Sequence, residues 1–405
     1  MERSDSKQIS RIRTMVEVYQ EAIVQDLSSL VSIESVTFNE GRAVHFLAGK
    51  MKAYGYDEVR IDRVGNVLGR VGHGPCVILY DAHIDTVSLG DEKEWEYPPL
   101  SGQLAGGAIH GRGACDDKGS LMAITWAGRI VKELGLANHV TLWVSGSVSE
   151  EAVVGASVEA MLKENDDIKP DFVLVAEASG LRIMRGHKGR ALLQFLVPGK
   201  AAHASAAWRG DNALVKALPI IKAIDDYQDF PEDPFLGKGS IEVTCLECKT
   251  PSLNTIPSQV IITCDRRTAS NESLEDLLME SRRMDQGIEG VEVRINTEHV
   301  KTYSGYEIEM VDYLPSWVLP ENHPLVQAGV ETFRDLFSDE PVITKWSFCT
   351  NATHFCGRLG IPSIGFGPGD EALCHSNRDR VPVNEYLKAI QFYAALPLYV
   401  SKHAE

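Results

Sequence analysis

The run Val77-Ile-Leu-Tyr-Asp-Ala-His-Ile-Asp85 decides the predicted fold class. It opens with four apolar residues, and so short an apolar run is typical of a strand buried on both faces of a sheet. Two similar runs follow at 140–144 and 172–175, and a helical pattern covers 119–134 between the first two. Strands and helices that alternate in this way predict an α/β fold with a largely parallel sheet flanked by helices.

The middle of the chain carries a different pattern. Its segments follow the order β-α-β-β-α-β, which indicates a small, ferredoxin-like α+β module with an antiparallel sheet. These segments are 191–197, 212–227, 240–244, 260–263, 274–284 and 291–295. We therefore predict a catalytic domain in two parts, residues 1–186 and 304–405, interrupted by a lid or dimerisation domain over 187–303.

The composition of the 405 residues argues against several function classes. There are 40 Lys and Arg against 57 Asp and Glu, and a formal net charge of −17 disfavours nucleic acid or an anionic membrane as partner. No apolar run approaches the roughly 18 residues of a transmembrane helix, and the N-terminus is unlike a signal peptide. Eight cysteines are too few for a disulfide scaffold, so we expect a cytoplasmic protein.

Acidic residues or histidine follow each of the three buried strands. His83 and Asp85 follow the first strand. Glu150 and Glu151 follow the second, and Glu177 follows the third. Because the carboxyl ends of parallel strands lie at one edge of a sheet, we expect these side chains to converge there.

A glycine-flanked acidic turn, Gly111-Arg-Gly-Ala-Cys-Asp-Asp-Lys-Gly119, lies between the first two strands. Carboxylate and imidazole groups are ordinary ligands of Zn²⁺, Mn²⁺ and Co²⁺. Without cations, so many acids at one edge would repel one another and shift their pKa values. The residue pattern therefore favours a metal site, and a solvated acidic loop is the alternative.

Six motifs in order resemble those of one enzyme family along nearly the whole chain. They are 81–87, 111–119, 149–151, 199–205, 367–369 and 374–376. The family is that of the co-catalytic dinuclear metallopeptidases and deacylases, which includes acetylornithine deacetylase, succinyl-diaminopimelate desuccinylase, aminoacylase and glutamate carboxypeptidase. The phrases at 210–213, 235–239 and 265–268 are most similar to its subgroup of selenium-metabolism-linked hydrolases.

The resemblance implies two bound divalent ions, zinc first, with cobalt or manganese as alternatives. Carried over residue by residue, it makes Asp116 the carboxylate that bridges both ions. His83 and Glu177 would complete the protein ligands of one ion. Glu151 and His375 would complete those of the other. A cis peptide bond after Asp116 is also expected from the resemblance.

The resemblance further implies a mechanism. A hydroxide that bridges the ions would attack an amide carbonyl, with Glu150 as the general base that later protonates the leaving amine. Asp85 would hydrogen-bond to His83 and orient it. His203 would reach in from the lid of a partner subunit to stabilise the oxyanion, so a homodimer formed through the lid is expected.

Substrate contacts are expected from the lid. Asn254 and the pair Arg266 and Arg267 resemble lid residues that hold the free carboxylate of a substrate. The Asp-x-Arg spacing from Asp265 favours Arg267, with Arg266 as the alternative. A guanidinium suits this task because its planar fork can pair with a carboxylate through two hydrogen bonds.

We therefore expect a metallohydrolase that cleaves an amide bond in a small carboxylate-bearing substrate, and an N-acyl-amino-acid deacylase is the first interpretation. A dipeptidase or carboxypeptidase is the alternative within that class. A catalytically silent binding protein on the same fold is the alternative of another class. The presence of Glu150 and of all five expected ligands favours an enzyme.

Several positions depart from the family pattern. Ala207 stands where many relatives have proline, Asn351 where many have aspartate, and 377–379 where Pro-x-Glu is usual. We expect these positions near loops that set substrate specificity. Cys115 and Cys374 flank the expected ligands, either as packing residues or as thiols whose oxidation disturbs metal binding.

Overall fold

The computed structural model describes residues 2–269 and 272–403, and most of its helices begin or end where the sequence predicts. The segment 119–134 is helical from residue 118, and Gly135 ends the helix with φ 65° in the left-handed region. The helices are α1 (Glu2–Val31), α2 (Gly41–Ala53), α3 (Lys118–Leu134), α4 (Ala156–Glu164), α5 (Ala213–Asp225), α6 (Leu274–Arg282), α7 (Pro324–Phe337) and α8 (Val383–His403). Among the described residues, no helix is long and apolar enough to cross a membrane.

Among the described residues the strands form a large sheet of nine strands, a small sheet of five, a sheet of three and two hairpins. In the first part of the chain they are β1 (Glu58–Ile61), β2 (Val67–Val71), β3 (Cys76–His83), β4 (Gln103–Ala105), β5 (Ala108–His110), β6 (Val140–Ser147), β7 (Phe172–Val175) and β8 (Ile183–His187). Next come β9 (Gly189–Pro198), β10 (Glu232–Asp233), β11 (Gly237–Lys238), β12 (Ser240–Lys249), β13 (Gln259–Thr268), β14 (Glu292–Ile295), β15 (Thr297–Lys301), β16 (Glu307–Val311) and β17 (Tyr313–Leu314). The last are β18 (Trp317–Val318), β19 (Ile343–Trp346), β20 (Ser363–Gly365) and β21 (Arg380–Pro382). The three-stranded sheet has the order β21-β5-β4.

The large sheet has the order β1-β2-β6-β3-β7-β20-β8-β18, with β19 also paired to β8. Its central strands β6, β3, β7 and β20 are parallel, while the flanking pairs β1–β2, β2–β6, β20–β8 and β18–β8 are antiparallel. His83 at the end of β3 lies opposite Ser147 at the end of β6. The carboxyl ends of these strands therefore lie together, and the predicted mixed α/β sheet is confirmed.

The small sheet has the order β12-β13-β9-β14, with β17 also paired to β9, and all its pairs are antiparallel. Helices α5 and α6 pack on it around a separate apolar core that includes Leu193, Phe195 and Ile262. This is the β-α-β-β-α-β module expected from the sequence. The hairpin of β15 and β16 spans the predicted boundary at 303/304, and the exact division into domains stays a prediction.

Candidate metal centre and active site

The carboxyl edge of the parallel strands forms one wall of a cavity of about 340 Å³. Strand β3 ends at His83, the turn after β6 carries Glu150 and Glu151, and Glu177 follows β7. The cavity is lined by His83, Asp116, Glu150, Glu151, Val154, Glu177, Arg190, Arg267, Phe348, Cys349, Glu371, Cys374 and His375. All five predicted metal ligands and the predicted general base therefore face the same space.

Asp116 lies between two histidines. Its Oδ1 is 2.9 Å from Nε2 of His83, and its Oδ2 is 3.3 Å from Nε2 of His375. The same nitrogen of His375 is 3.0 Å from Oε2 of Glu151, and Nε2 of His83 is 3.8 Å from Oε1 of Glu177. This geometry brings the expected ligands together as two groups that share one carboxylate, and their role as ligands stays a prediction.

A neighbouring buried carboxylate holds the turn that carries Asp116. Asp379 accepts hydrogen bonds from the main-chain N–H groups of Gly113 at 2.7 Å and Cys115 at 2.8 Å. It is 1% exposed and lies 3.5 Å from the guanidinium of Arg112. The peptide bond between Asp116 and Asp117 is cis, as the resemblance implies.

Asp85 holds the turn after β6 more closely than it holds His83. Its two carboxylate oxygens accept hydrogen bonds from the main-chain N–H groups of Glu150 at 3.0 Å and Glu151 at 3.1 Å. Thr37 donates its hydroxyl to the same carboxylate at 2.9 Å. Nδ1 of His83 lies 2.9 Å from the main-chain oxygen of Asp85 and 3.5 Å from its carboxylate. Asp85 therefore fixes both glutamates and, mainly through its carbonyl group, the histidine ring.

The protein alone leaves this cluster short of positive charge. Burial, with the nearby carboxylates of Glu151 and Asp85, raises the pKa of Glu150 to about 8, and burial raises the pKa of Glu177 well above its usual range. Hydrogen bonds to Asp116 and Glu151 raise the pKa of His375 to about 10. In each case the cluster favours the protonated form of the side chain. Bound divalent cations would reduce the repulsion among its carboxylates.

Unpaired oxygens in the cluster fit the same interpretation. Oε1 of Glu151 and Oδ1 of Asp117 are buried and have no hydrogen-bond partner among the described residues. Ligand atoms of His83, Asp116 and Glu151 lie within 4.8 Å of one another, and those of His83, Asp117 and Glu177 do so too. The donor set of carboxylates and imidazole suits zinc, cobalt or manganese. Sequence reasoning did not single out Asp117, although it adjoins Asp116 in the same turn.

The predicted lid residues divide into two groups. Arg267 lines the cavity, whereas Arg266 is fully buried and bound to Glu280 at 2.9 Å, so the alternative arginine does not face the site. His203 and Asn254 are exposed neighbours, with 3.3 Å between Nε2 and Nδ2. Neither is among the residues that line the cavity, so a single chain does not bring them to the metal cluster.

None of the departures from the family pattern is among the residues that line the cavity, and their place near specificity loops stays a prediction. Asn351 is 2% exposed and donates to Asp81 at 2.9 Å, behind the sheet edge. Asp379 accepts the main-chain hydrogen bonds that hold the turn of Asp116. Ala207 is exposed on the small domain, in the short helix Ala204–Arg209.

The two cysteines next to the expected ligands contact each other. Cys115 is buried, Cys374 lines the cavity, and Sγ of Cys115 donates to the main-chain oxygen of Asp370 at 3.5 Å. Both are free thiols. The structure therefore joins the turn of Asp116 to the loop of His375 through this sulfur contact.

Fold and site together define a hydrolase of the metallopeptidase and deacylase class, and comparison with known proteins identifies the family. Residues 79–398 match Peptidase family M20/M25/M40. The protein YgeY of Escherichia coli K12 is 36% identical over 383 residues, which cover 94% of each chain. A probable succinyl-diaminopimelate desuccinylase of Staphylococcus aureus is 23% identical, over 91% of this chain and 95% of that protein.

Among solved structures, YxeP of Bacillus subtilis is described as a dinuclear metal-binding peptidase of family M20. It superposes with a TM-score of 0.71 at 15% identity, over 95% of this chain and 99% of that one, which shows a shared fold. The chain therefore belongs to peptidase family M20/M25/M40. The predicted family and the predicted class, a hydrolase of amide or peptide bonds, are confirmed.

Proposed function

We propose that this chain is an N-acyl-amino-acid deacylase that uses two zinc ions. The observation that carries the proposal is the set of five potential ligands arranged about Asp116 next to Glu150, in a cavity that also contains Arg267. Its cytoplasmic location is part of the proposal, supported by eight cysteines that are all free thiols.

The side chains divide the work of amide hydrolysis among them. When bound, the two ions acidify a water molecule and polarise the substrate carbonyl. Glu150 accepts a proton from the attacking water and gives it to the nitrogen of the leaving amine. Asp85 keeps Glu150 in place through its main-chain N–H, at 3.0 Å. Arg267 binds the substrate carboxylate and so sets the distance from that group to the scissile bond.

Metal analysis paired with a hydrolysis screen tests the proposed function. We expect two zinc ions per chain and turnover of N-acetyl-, N-succinyl- or N-carbamoyl-amino acids that exceeds turnover of dipeptides. Preferred cleavage of dipeptides would instead favour the peptidase alternative. Two bound ions with no turnover of any of these compounds would contradict an enzymatic role and favour a binding protein.

We also propose a homodimer formed through the small domain. Two observations support it: His203 and Asn254 lie outside the cavity of their own chain, and β12 is an edge strand of the small sheet. Large apolar side chains are exposed on this domain at Val215, Leu218, Leu246 and Leu253. Light scattering should give twice the chain mass of 44.6 kDa, and a mass of one chain would contradict the proposal.

A further inference from the structure

Arg190 is a second cavity-lining arginine that the family motifs did not indicate. It lies on β9, directly opposite Arg267 on β13 in the antiparallel register of the small sheet. Side chains of directly opposed residues extend from the same face of a sheet, and their Cβ atoms are about 5 Å apart. Both side chains line the cavity that contains the acid cluster, and they are 24% and 30% exposed respectively.

Each arginine is anchored by an aspartate on one side only. Nη2 of Arg190 donates to Oδ1 of Asp312 at 2.8 Å. Nε and Nη2 of Arg267 donate to the two carboxylate oxygens of Asp265 at 2.7 and 3.1 Å. These ion pairs fix the directions of both guanidinium groups, because a planar fork that is held along one edge cannot turn freely.

The remaining N–H groups have weak partners or none. Nη1 of Arg267 has a thiol, Sγ of Cys349, at 3.8 Å, and sulfur is a weak acceptor. Nε of Arg190 is buried without a hydrogen-bond partner among the described residues. Each guanidinium therefore has donor capacity left for a further acceptor in the cavity, beyond the aspartate that already pairs with it.

We propose that Arg190 and Arg267 together hold one carboxylate of the substrate, so that Arg190 is a specificity-determining residue. The inference rests on the proposed function, because the carboxylate is that of the N-acyl amino acid. A single carboxylate can contact both guanidinium groups because the two residues are directly opposed on one face of the sheet. The ligand class is therefore an amide with one carboxylate next to the scissile bond, and neutral amides are rejected.

Calorimetric titration of the metal-loaded Glu150→Gln protein tests this clamp without turnover. The probes are N-acetylglycine and N-acetylglycinamide, which differ only in the charge of the carboxyl end. We expect the acid to bind at least about tenfold more tightly than the amide. Arg190→Met and Arg267→Met should each weaken binding of the acid about tenfold and change binding of the amide less than about threefold.

A double variant tests whether both arginines act on the same carboxylate of N-acetylglycine. If both arginines bind the same group, Arg190→Met and Arg267→Met combined should weaken binding by much less than the product of the single effects. A full product would overturn the shared clamp. So would acid and amide binding with equal affinity to the starting protein.

Two controls separate binding from folding. Arg294→Met removes an exposed arginine of the same sheet, and if Arg190→Met binds the acid as well as this control does, the proposal is wrong. Because Arg190→Met leaves the buried Asp312 unpaired, Arg190→Met with Asp312→Asn provides a variant without that charge. The turnover screen tests the proposed function separately, since an enzyme that cleaves acyl amino acids can still lack a clamp.

Discussion

The acid cluster of the large sheet and the His203–Asn254 pair of the small domain are held in very different ways. Asp85 is fully buried, Glu150 is 5% exposed, and main-chain hydrogen bonds at 3.0 and 3.1 Å join Asp85 to the turn after β6. His203 and Asn254 are exposed, and His203 is held by side-chain contacts of 2.7 Å to Ser205 and 3.3 Å to Asn254. The folded chain therefore holds the side chains of the first region in place, whereas under the proposed homodimer the second region becomes a site only against the partner surface.

Glu150→Gln tests the prepared region and should have the largest effect. The substitution keeps the size of the side chain and removes its ability to accept a proton, so we expect kcat to fall roughly 10³-fold. Metal analysis should still find two ions per chain, because Glu150 is not an expected ligand. Glu292→Gln, an exposed residue of β14, is the control. A metal-replete Glu150→Gln variant with nearly normal kcat would contradict the assignment of the base.

His203→Ala tests the exposed region, with an expected loss of about 10²-fold in kcat if the imidazole stabilises an oxyanion. Metal content should not change, because His203 is not an expected ligand, and the melting temperature should fall only slightly, because the ring accepts one hydrogen bond from the main-chain N–H of Ser205 at 3.2 Å. A structural role alone would give nearly normal kcat.

Mixing the two inactive variants shows which chain His203 serves. In a mixed dimer of Glu150→Gln and His203→Ala chains, one site has both an intact base and an intact histidine if His203 acts across the interface. Random exchange should then restore about one quarter of the wild-type activity. If the chains are shown to exchange and no activity returns, His203 acts within its own chain. The contrast between a region complete in one chain and a region that needs a partner would then be wrong.

The residues at the strand ends could be predicted from the sequence, but the contacts between distant loops could not. His83, Glu150 and Glu177 could be predicted because each directly follows a recognisable buried strand, and strand ends converge in any parallel sheet. Asp379 and Gly113 are 266 residues apart in the sequence, and no local sequence pattern predicts their hydrogen bond. Arg190 escaped notice for a related reason, since its position opposite Arg267 depends on the register of β9 and β13.

The N-terminal helix and the Asn351 loop show the same limit. The 30 residues of α1 bury Ile12, Ile23 and Leu27 against the large domain, but their helical pattern says nothing about which surface they cover. Asn351 was expected near a specificity loop from its place in a family phrase. The phrase does not indicate the hydrogen bond that its buried side chain donates to Asp81.

Asp379→Asn tests whether the prepared region depends on support beyond the ligands. Asparagine is neutral and can accept through one oxygen only, so neither Gly113 nor Cys115 keeps a charged partner and one of their N–H groups loses its acceptor. We expect zinc affinity to fall about tenfold, by analogy with other groups that orient metal ligands. Competition with a chromogenic chelator measures the change, and Asp339→Asn, at the end of α7, is the control. Equal zinc affinity in both variants would show that the turn holds its shape without Asp379.

The smallest effect is expected for Cys115→Ser combined with Cys374→Ser. Serine conserves the size and the hydrogen-bonding capacity of both groups, so kcat should stay within about twofold of wild type. The adjacent side chain of Cys115 and burial raise the pKa of Cys374, which keeps the thiol protonated and slows its reaction with peroxide.

A slow peroxide reaction could still convert the two thiols to a disulfide and water, and the new bond would pull together the loops of Asp116 and His375. Loss of zinc should accompany loss of activity in wild type, and the double variant should keep both for longer under the same peroxide. If the double variant is inactivated as fast as wild type, the thiols are packing residues only. Inactivation by peroxide would then be due to oxidation of another group, and the contact between Cys115 and Cys374 would have only a packing role.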